Sequence, residues 1–212
     1  MIEYLFVNFT GLRFLFSTAT LPNKYPMQDI NELRSAWKGH RDFANWLVNK
    51  LQPTTIVDLG VDYGFSLFCL AEPNIGRVYG IDSFEGDIHA GAHTDAYDTV
   101  VRVMAENNYQ NIELIKGFFD DVVVNWNKNI DILHIDGLHT YEAALNDYQK
   151  WTKFVPHNGV ILMHDTVAFR DGVGRVFNEI TLPKVHFLHS EGLGVISQNA
   201  ELIDQIKEKY NL

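Results

Sequence analysis

The sequence predicts an α/β fold with three layers, in which a doubly wound, mostly parallel sheet lies between two layers of helices. Three observations predict it. Short apolar runs rich in β-branched residues recur from residue 54, helix-like segments separate them, and two short strands near the end are joined by three residues. Unbroken apolar strands are typical of a parallel sheet buried on both faces, and right-handed crossovers then give the doubly wound order.

The predicted elements alternate along the chain from residue 41. The predicted helices cover residues 41–51, 65–72, 96–108 and 140–155. The predicted strands cover residues 54–60, 77–82, 111–117, 130–136, 159–165, 184–189 and 193–198. The last two strands are joined by Ser190, Glu191 and Gly192 as a hairpin, so the seventh strand is expected to be antiparallel.

Length, charge and cysteine content bound the class of protein. The 212 residues suit one domain with a sizeable core. The net charge of -10 is the reverse of the basic excess with which nucleic-acid-binding proteins neutralise phosphates. We therefore expect a small hydroxylated molecule as partner and no nucleic acid. The one cysteine, Cys69, lies in an apolar run, which favours a buried thiol and a reducing, cytoplasmic location.

Residues 1–34 are interpreted as an N-terminal extension that covers the core or makes a subunit contact, and residues 35–212 as the main domain. The apolar start is interrupted by Glu3, Asn8 and Arg13. Such a segment is too short and too polar to span a membrane, and it lacks the basic start and cleavage site of a signal peptide. We expect no membrane association, and the apolar segment suggests a possible homo-oligomer.

A glycine-containing turn after the first predicted strand is the first candidate ligand site. Gly60 and Gly64 lie in this turn and Asp58 precedes it. In a doubly wound sheet the turn lies at the carboxyl edge, where ligands bind, and a glycine lets a ligand approach the backbone. Asp62 replaces the middle glycine of the nicotinamide fingerprint and would repel a pyrophosphate. The turn therefore favours S-adenosylmethionine over NAD, with Asp58 assisting the positive end of the ligand.

The end of the second predicted strand adds a nucleoside site. Asp82 ends this strand about twenty residues after the glycine turn, where a carboxylate accepts both ribose hydroxyls. Ser83 follows it and is included in the predicted cofactor site. Phe118 and Phe119 follow the third strand and could flank an adenine, although one of them is expected in the core. The alternative is that the aspartates are ordinary strand-ending residues beside loops.

Two further aspartates, Asp136 and Asp165, end the fourth and fifth predicted strands. If these strands are neighbours, the two carboxylates converge on one rim and suit a hard cation such as Mg²⁺. His139, three residues after Asp136, is the predicted general base for a hydroxyl, and Asp136 is assigned to catalysis as well as to the metal. His134 and His164 are expected to be structural, and helix capping is the alternative for both aspartates.

The chain resembles a known family in six blocks that occur in a specific order. The two most specific blocks read I-D-G-x-H-x-Y-E and H-D-T, and the six blocks lie at residues 35–47, 57–66, 78–91, 133–151, 159–166 and 189–196. In these blocks the chain resembles class I S-adenosylmethionine-dependent methyltransferases. More narrowly, it is similar to macrocin-type sugar O-methyltransferases and cephalosporin hydroxylase-like proteins.

The resemblance implies a seven-stranded Rossmann-like methyltransferase sheet with an antiparallel last strand, and a cofactor-binding domain over residues 35–212. By motif it implies that Gly60 contacts the methionine part of the cofactor and that Asp82 contacts the ribose. It also implies that Asp136 and Asp165 hold a metal in members that use one, with His139 as the base.

The sequence departs from this family beside the fifth strand. Metal-using relatives often carry a further acidic or amide residue next to the aspartate, whereas this chain has Thr166. Glu142 or water is the candidate substitute. Upstream, Trp37 and His40 lie in a segment expected to close over the ligand.

The leading hypothesis is methyl transfer from S-adenosylmethionine to a hydroxyl of a sugar or another small polyhydroxylated metabolite, with possible help from a metal. Two alternatives remain open. One is an NAD-dependent oxidoreductase on a similar sheet, and the other is a non-catalytic nucleoside-binding partner protein.

Overall fold

The computed structural model of the protein describes residues 29–86, 88, 91 and 94–212. Most of the predicted N-terminal extension, residues 1–28, lies outside the described residues. The part that is described packs on the domain, because Ile30 and Leu33 are buried in the core. Among the described residues, every helix is too short or too polar to cross a bilayer.

Seven strands form one sheet, in the spatial order β3-β2-β1-β4-β5-β7-β6. The strands are β1 (Thr55–Leu59), β2 (Arg77–Asp82), β3 (Ile112–Lys116), β4 (Ile132–Ile135), β5 (Val160–His164), β6 (Lys184–Phe187) and β7 (Leu193–Ser197). The first five run parallel, and β7 is antiparallel to both of its neighbours. The predicted fold class is therefore confirmed, with one addition: the antiparallel strand lies inside the sheet, and β6 is its edge.

Seven α-helices flank the sheet in the described part of the chain. They are α1 (Arg41–Leu51), α2 (Phe65–Ala71), α3 (Ala96–Glu106), α4 (Phe119–Val123), α5 (Tyr141–Trp151), α6 (Val173–Glu179) and α7 (Ala200–Tyr210). The helix predicted over residues 140–155 ends earlier than expected, because its last turn tightens into a 3₁₀ helix, Thr152–Phe154. Helices α4 and α6 are too short to show a helical period in the sequence.

Alternating side chains of the strands fill two cores, one on each face of the sheet. Ile56 of β1 packs with α1, α2, α3 and α7, whereas its neighbour Val57 packs with α5 and α6 on the other face. Cys69 is completely buried in the first core, and burial raises the pKa of its thiol. The predicted burial of Cys69 is confirmed.

The parallel register brings the carboxyl ends of five strands to one edge of the sheet. Leu59 of β1 pairs with Ile135 of β4, which pairs with Met163 of β5. The ladder continues into the turns, since the backbone N–H of Gly60 donates to Ile81 O at 3.0 Å and that of Asp136 donates to Leu59 O at 2.8 Å. The residues that follow these strands therefore share one rim.

Candidate active site

A cavity of about 860 Å³ opens at this rim of the sheet. Its walls come from the residues that follow β1 to β5, from α5, and from the segment just before α1. The volume lies in the range of small-molecule and cofactor sites. Of the predicted site residues, seven line it: Gly60, Asp82, Ser83, Phe118, Asp136, His139 and Asp165.

The two glycines of the turn have different surroundings. Gly60 lines the cavity at φ 94°, and a Cβ there would collide with the carbonyl of Asp136. Gly64 has φ 89°, but a Cβ on it would meet Phe68 Cε2 at 2.7 Å and Val100 Cγ2 at 3.0 Å, which belong to the core. Gly64 does not line the cavity, so its predicted ligand contact is corrected to a structural requirement for glycine at the start of α2.

Asp82 holds the glycine turn in addition to facing the cavity. Its Oδ2 accepts a hydrogen bond from the backbone N–H of Asp62 at 2.9 Å, and its Oδ1 accepts one from Phe84 N–H at 2.7 Å. Each carboxylate oxygen has a second lone pair for a ligand hydroxyl. Ser83 lies beside it and accepts from Glu85 N–H at 3.3 Å.

The two phenylalanines after β3 separate as the sequence suggested. Phe118 lines the cavity and its side chain is 55% exposed. Phe119 packs against the second core, and its ring lies directly over Gly137. Both residues line the cavity, and Phe118 is the more exposed of the two, so that its ring could cover a ligand.

Asp58 is not where the sequence analysis placed it. The residue is 0% exposed and does not line the cavity. Its Oδ1 lies 2.6 Å from His134 Nδ1, and its Oδ2 accepts from the Ser66 hydroxyl at 2.8 Å. Because Asp58 points into the first core between β1 and α2, the prediction of a direct contact with the positive end of a ligand is wrong.

The aspartates after β4 and β5 meet around His139, as the spacing predicted. His139 Nε2 lies 2.7 Å from Asp165 Oδ2 and 3.6 Å from Asp136 Oδ1. The imidazole stacks on the ring of Phe169, with ring centroids 4.3 Å apart. Burial alone would lower the pKa of His139, but contacts with the two carboxylates raise it to about 10. In the ligand-free protein His139 is therefore an imidazolium at neutral pH rather than a poised base.

His164, which was expected to be structural, belongs to the same cluster. Its Nδ1 lies 3.3 Å from Asp136 Oδ1 and its Nε2 lies 2.9 Å from Ser190 O. Asp165 has φ 60°, so the strand geometry stops there and His164 and Asp165 both reach the rim. Burial lowers the pKa of His164, but the charge of Asp136 outweighs burial and raises this pKa to about 9. Burial would likewise raise the pKa of Asp136, yet the His164 charge and both histidine contacts hold it well below its usual range.

The cluster is suited to a divalent cation. One donor atom each from Asp136, His139 and Asp165 lies within 4.8 Å of the others. Two carboxylates suit Mg²⁺ or Mn²⁺, and an imidazole favours Mn²⁺ or another transition metal. Neither Thr166, which follows Asp165, nor the candidate substitute Glu142 reaches the cluster. The Thr166 hydroxyl lies 2.7 Å from His186 Nε2, and Glu142 is exposed and outside the cavity.

Two parts of the cavity wall were not predicted as ligand-contacting residues. Arg34, Ser35 and Ala36 line one side, from the segment around Trp37. On α5, Asn146 and the buried Asp147 line another. A sequence signal existed for Asp147, since it shares the apolar helical face of Ala144 and Trp151. His40 is buried and does not line the cavity; burial and nearby histidines lower its pKa to about 3.

Comparison with known proteins gives a consistent result. Residues 57–166 match the family model described as "Methyltransferase domain". A curated relative, the uncharacterised protein y4gI of Sinorhizobium fredii, is 31% identical over 182 residues, which is 80% of this chain and 20% of that protein. The chain thus spans about a fifth of the length of that relative.

Solved structures share the fold at low sequence identity. A putative caffeoyl-CoA O-methyltransferase from Staphylococcus aureus has a TM-score of 0.60 and 14% identity, and covers 78% of this chain and 86% of its own. An O-methyltransferase from Bacillus cereus, in complex with S-adenosylhomocysteine, has a TM-score of 0.58 and 13% identity, with coverages of 75% and 80%. These likenesses support the arrangement of the sheet.

Proposed function

Because the chain belongs to the methyltransferase domain family, we propose that it transfers a methyl group from S-adenosylmethionine to a hydroxyl oxygen of a small acceptor. One observation carries the proposal: a single cavity brings Gly60 and Asp82 together with the Asp136–His139–Asp165 cluster. The first pair suits a nucleoside with a positively charged amino-acid tail, and the second suits a hydroxyl that must lose its proton.

The cofactor is assigned to the part of the cavity at the ends of β1, β2 and β3. Gly60 lines the cavity and has no side chain to keep a ligand from its backbone, Asp82 has free lone pairs for ribose hydroxyls, and Phe118 offers an apolar ring. Asp62 disfavours a pyrophosphate at the turn. The Bacillus cereus neighbour is in complex with S-adenosylhomocysteine, which supports this choice.

The chemistry requires alignment and removal of one proton. The new bond forms between the acceptor oxygen and the methyl carbon while the carbon–sulfur bond breaks, so the main task is to hold these atoms in line. The hydroxyl proton is assigned to His139, helped by Asp136. Since both carboxylates hold His139 protonated in the ligand-free protein, this base needs its proton removed or the carboxylate charge offset first. A divalent cation on Asp136 and Asp165 would supply that positive charge and Lewis-acid stabilisation.

We propose a sugar or another small polyhydroxylated metabolite as acceptor, in keeping with the macrocin-type resemblance. Among the described residues that line the cavity, Arg34 is the only lysine or arginine, whereas seven are aspartates. Such walls favour a neutral acceptor over one that carries phosphates. A cytoplasmic location and a homo-oligomer formed through residues 1–34 remain proposals from the sequence.

The first test is methyl transfer by His139→Ala and Asp136→Ala variants with a panel of sugars and polyols. Loss of a general base costs about 10²- to 10⁴-fold in rate, and we expect a loss of this order in both. His157→Ala is the matched control, because His157 is exposed and precedes β5, at the opposite end of that strand from Asp165. Near-normal turnover in both active-site variants would remove the mechanism.

Calorimetry distinguishes the alternatives. We expect the wild-type protein to bind S-adenosylhomocysteine and not NAD. The reverse preference would favour the oxidoreductase. Tight binding of S-adenosylhomocysteine without turnover of any acceptor, in the presence of Mg²⁺ or Mn²⁺, would favour the non-catalytic nucleoside-binding protein.

A further inference from the structure

The segment that covers one side of the cavity is anchored by a buried tryptophan. Arg34, Ser35 and Ala36 line the cavity, and the 3₁₀ helix Ala36–His40 follows. The Ser35 hydroxyl accepts from Trp37 N–H at 3.0 Å and starts this helix. The Trp37 side chain is turned inward, and the residue is 1% exposed.

The Trp37 indole ends a chain of buried hydrogen bonds. Its Nε1–H donates to His134 Nε2 at 3.1 Å. Since His134 Nε2 accepts, its Nδ1 carries the proton and donates to Asp58 Oδ1 at 2.6 Å. The other oxygen of Asp58 accepts from the Ser66 hydroxyl at 2.8 Å. Ser66 lies in α2, directly after the glycine turn, and lines the cavity.

The chain therefore joins two walls of the same cavity through the interior of the protein. His134 and Asp58 are 0% exposed, so each polar atom that lost its partner would be left without water. A network of this kind is worth most when every member is satisfied, and it defines one arrangement of its ends. Apolar side chains of similar size would fill the same space, but they would not fix the orientation of the indole relative to α2.

A second buried tryptophan shows that packing alone does not demand such a partner. Trp151 is 0% exposed, on the opposite face of the sheet, and its Nε1 has no hydrogen-bond partner among the described residues. The fold thus accepts a buried indole without a partner. The hydrogen bond from Trp37 to His134 therefore indicates that residues 34–36, which precede Trp37 and cover one side of the cavity, must be held in one position.

We propose that Trp37 is a positioning residue: its indole N–H, held by the His134–Asp58 pair, seats residues 34–36 over the bound cofactor and ties this cover to the glycine turn through Ser66. The identity of the cofactor rests on the proposed function. The hydrogen-bond chain and the seating of the cover do not.

The test replaces each buried tryptophan by phenylalanine, which keeps a ring and removes the N–H. In Trp37→Phe we expect binding of S-adenosylhomocysteine to weaken about three- to tenfold by calorimetry, the value of one net hydrogen bond. The KM for S-adenosylmethionine should rise with kcat little changed. Trp151→Phe is the control and should bind as the wild type does. Equal binding by Trp37→Phe and wild type, or equal weakening in both variants, would overturn the proposal.

A measurement without ligand separates this proposal from the assignment of the cofactor. Amide hydrogen exchange over residues 34–40 should be faster in Trp37→Phe than in wild type and unchanged in Trp151→Phe. Ser66→Ala is the second variant in case Trp37→Phe does not fold, and it should also speed exchange in this segment through Asp58 and His134. Unchanged exchange in Ser66→Ala would contradict the coupling. If the wild type binds no S-adenosylhomocysteine, the proposed function fails, while the exchange result still decides the role of Trp37.

Discussion

Asp147 is a carboxylate on the apolar face of a helix. It is 6% exposed, and its one hydrogen-bond contact within the described residues is Asn146 Nδ2, at 3.5 Å. Burial raises its pKa from an ordinary value of 3.8 to about 6. A carboxylate in this position costs stability whenever it is ionised, because the folded state gives it little in place of water.

We expect Asp147→Asn to stabilise the ligand-free protein near neutral pH. Above the folded pKa of about 6 the carboxylate is charged in both states and its burial destabilises the fold; below 3.8 it is neutral in both states and this cost is absent. The gain in unfolding free energy should therefore be largest at about pH 7, on the order of 2–3 kcal/mol at most, and should fall away from pH 6 to pH 4.

Urea unfolding of both proteins across this pH range measures the difference. Asp204→Asn is the matched control, because Asp204 is exposed and its pairing with Lys207 at 3.2 Å is worth little. The prediction would be contradicted if the gain in unfolding free energy did not depend on pH, or if Asp147→Asn were less stable than wild type at pH 7. Either result would mean that the ionised carboxylate of Asp147 is stabilised in the folded protein.

The sequence predicted which residues lie at the carboxyl ends of the strands better than it predicted where each of their side chains points. Asp82, Asp136 and Asp165 reach the cavity because they end parallel strands, which is a property of spacing. Asp58 pairs with Gly80 and His134, two positions before Asp82 and Asp136, and its side chain follows the alternation into the core. His164 keeps the alternation and lies on the same face of the sheet as Trp37 and His134. Asp165 reaches the same rim because its backbone leaves the strand at φ 60°, and nothing in the sequence signals that change of backbone.

At the scale of the element, the first turn of α2 depends on a glycine with no direct ligand contact. Gly64 precedes the helix at φ 89°, where an alanine is strained, and an added Cβ would press on Phe68 and Val100. We expect Gly64→Ala to lower the free energy of unfolding by about 2–4 kcal/mol, the sum of a left-handed backbone and overpacking.

Denaturant unfolding measures this change, with Gly117→Ala as the control. Gly117 has no positive φ, and a Cβ there would meet only Val122 at an ordinary 3.5 Å. Its stability should change by less than about 1 kcal/mol. If Gly64→Ala is as stable as Gly117→Ala, the turn can rearrange and the glycine would have to be explained by the ligand after all.

Element existence was predictable where a segment is long or strongly apolar. All seven strands were expected, and their observed bounds differ by at most two residues at either end. Helices α4, α6 and α7 were not predicted. Five and seven residues are too few for a period to appear in α4 and α6, whereas the eleven residues of α7 do carry one, in Leu202, Ile203 and Ile206, that the sequence analysis missed. The order of β6 and β7 could not be decided from a hairpin alone, because either strand could pair with β5.

At the scale of the whole molecule, the net charge is the property from which we predict that the acceptor is not a nucleic acid. It carries 17 Lys and Arg against 27 Asp and Glu. The cavity repeats this excess locally, with seven aspartates in its walls. Binding to RNA is driven by release of counterions from phosphates, which needs a basic surface. Both the long-range field and the walls of the site oppose a polyanion.

We therefore expect neither binding nor methylation of tRNA or ribosomal RNA. In filter binding at about 0.1 M salt, no saturable binding should occur below roughly 100 µM RNA, whereas basic proteins bind RNA non-specifically at or below that level. Labelled S-adenosylmethionine should transfer no methyl group to RNA under conditions in which a hydroxylated small molecule is modified. Micromolar binding that falls steeply with added salt would contradict this expectation, because the charges described at the cavity cannot produce it.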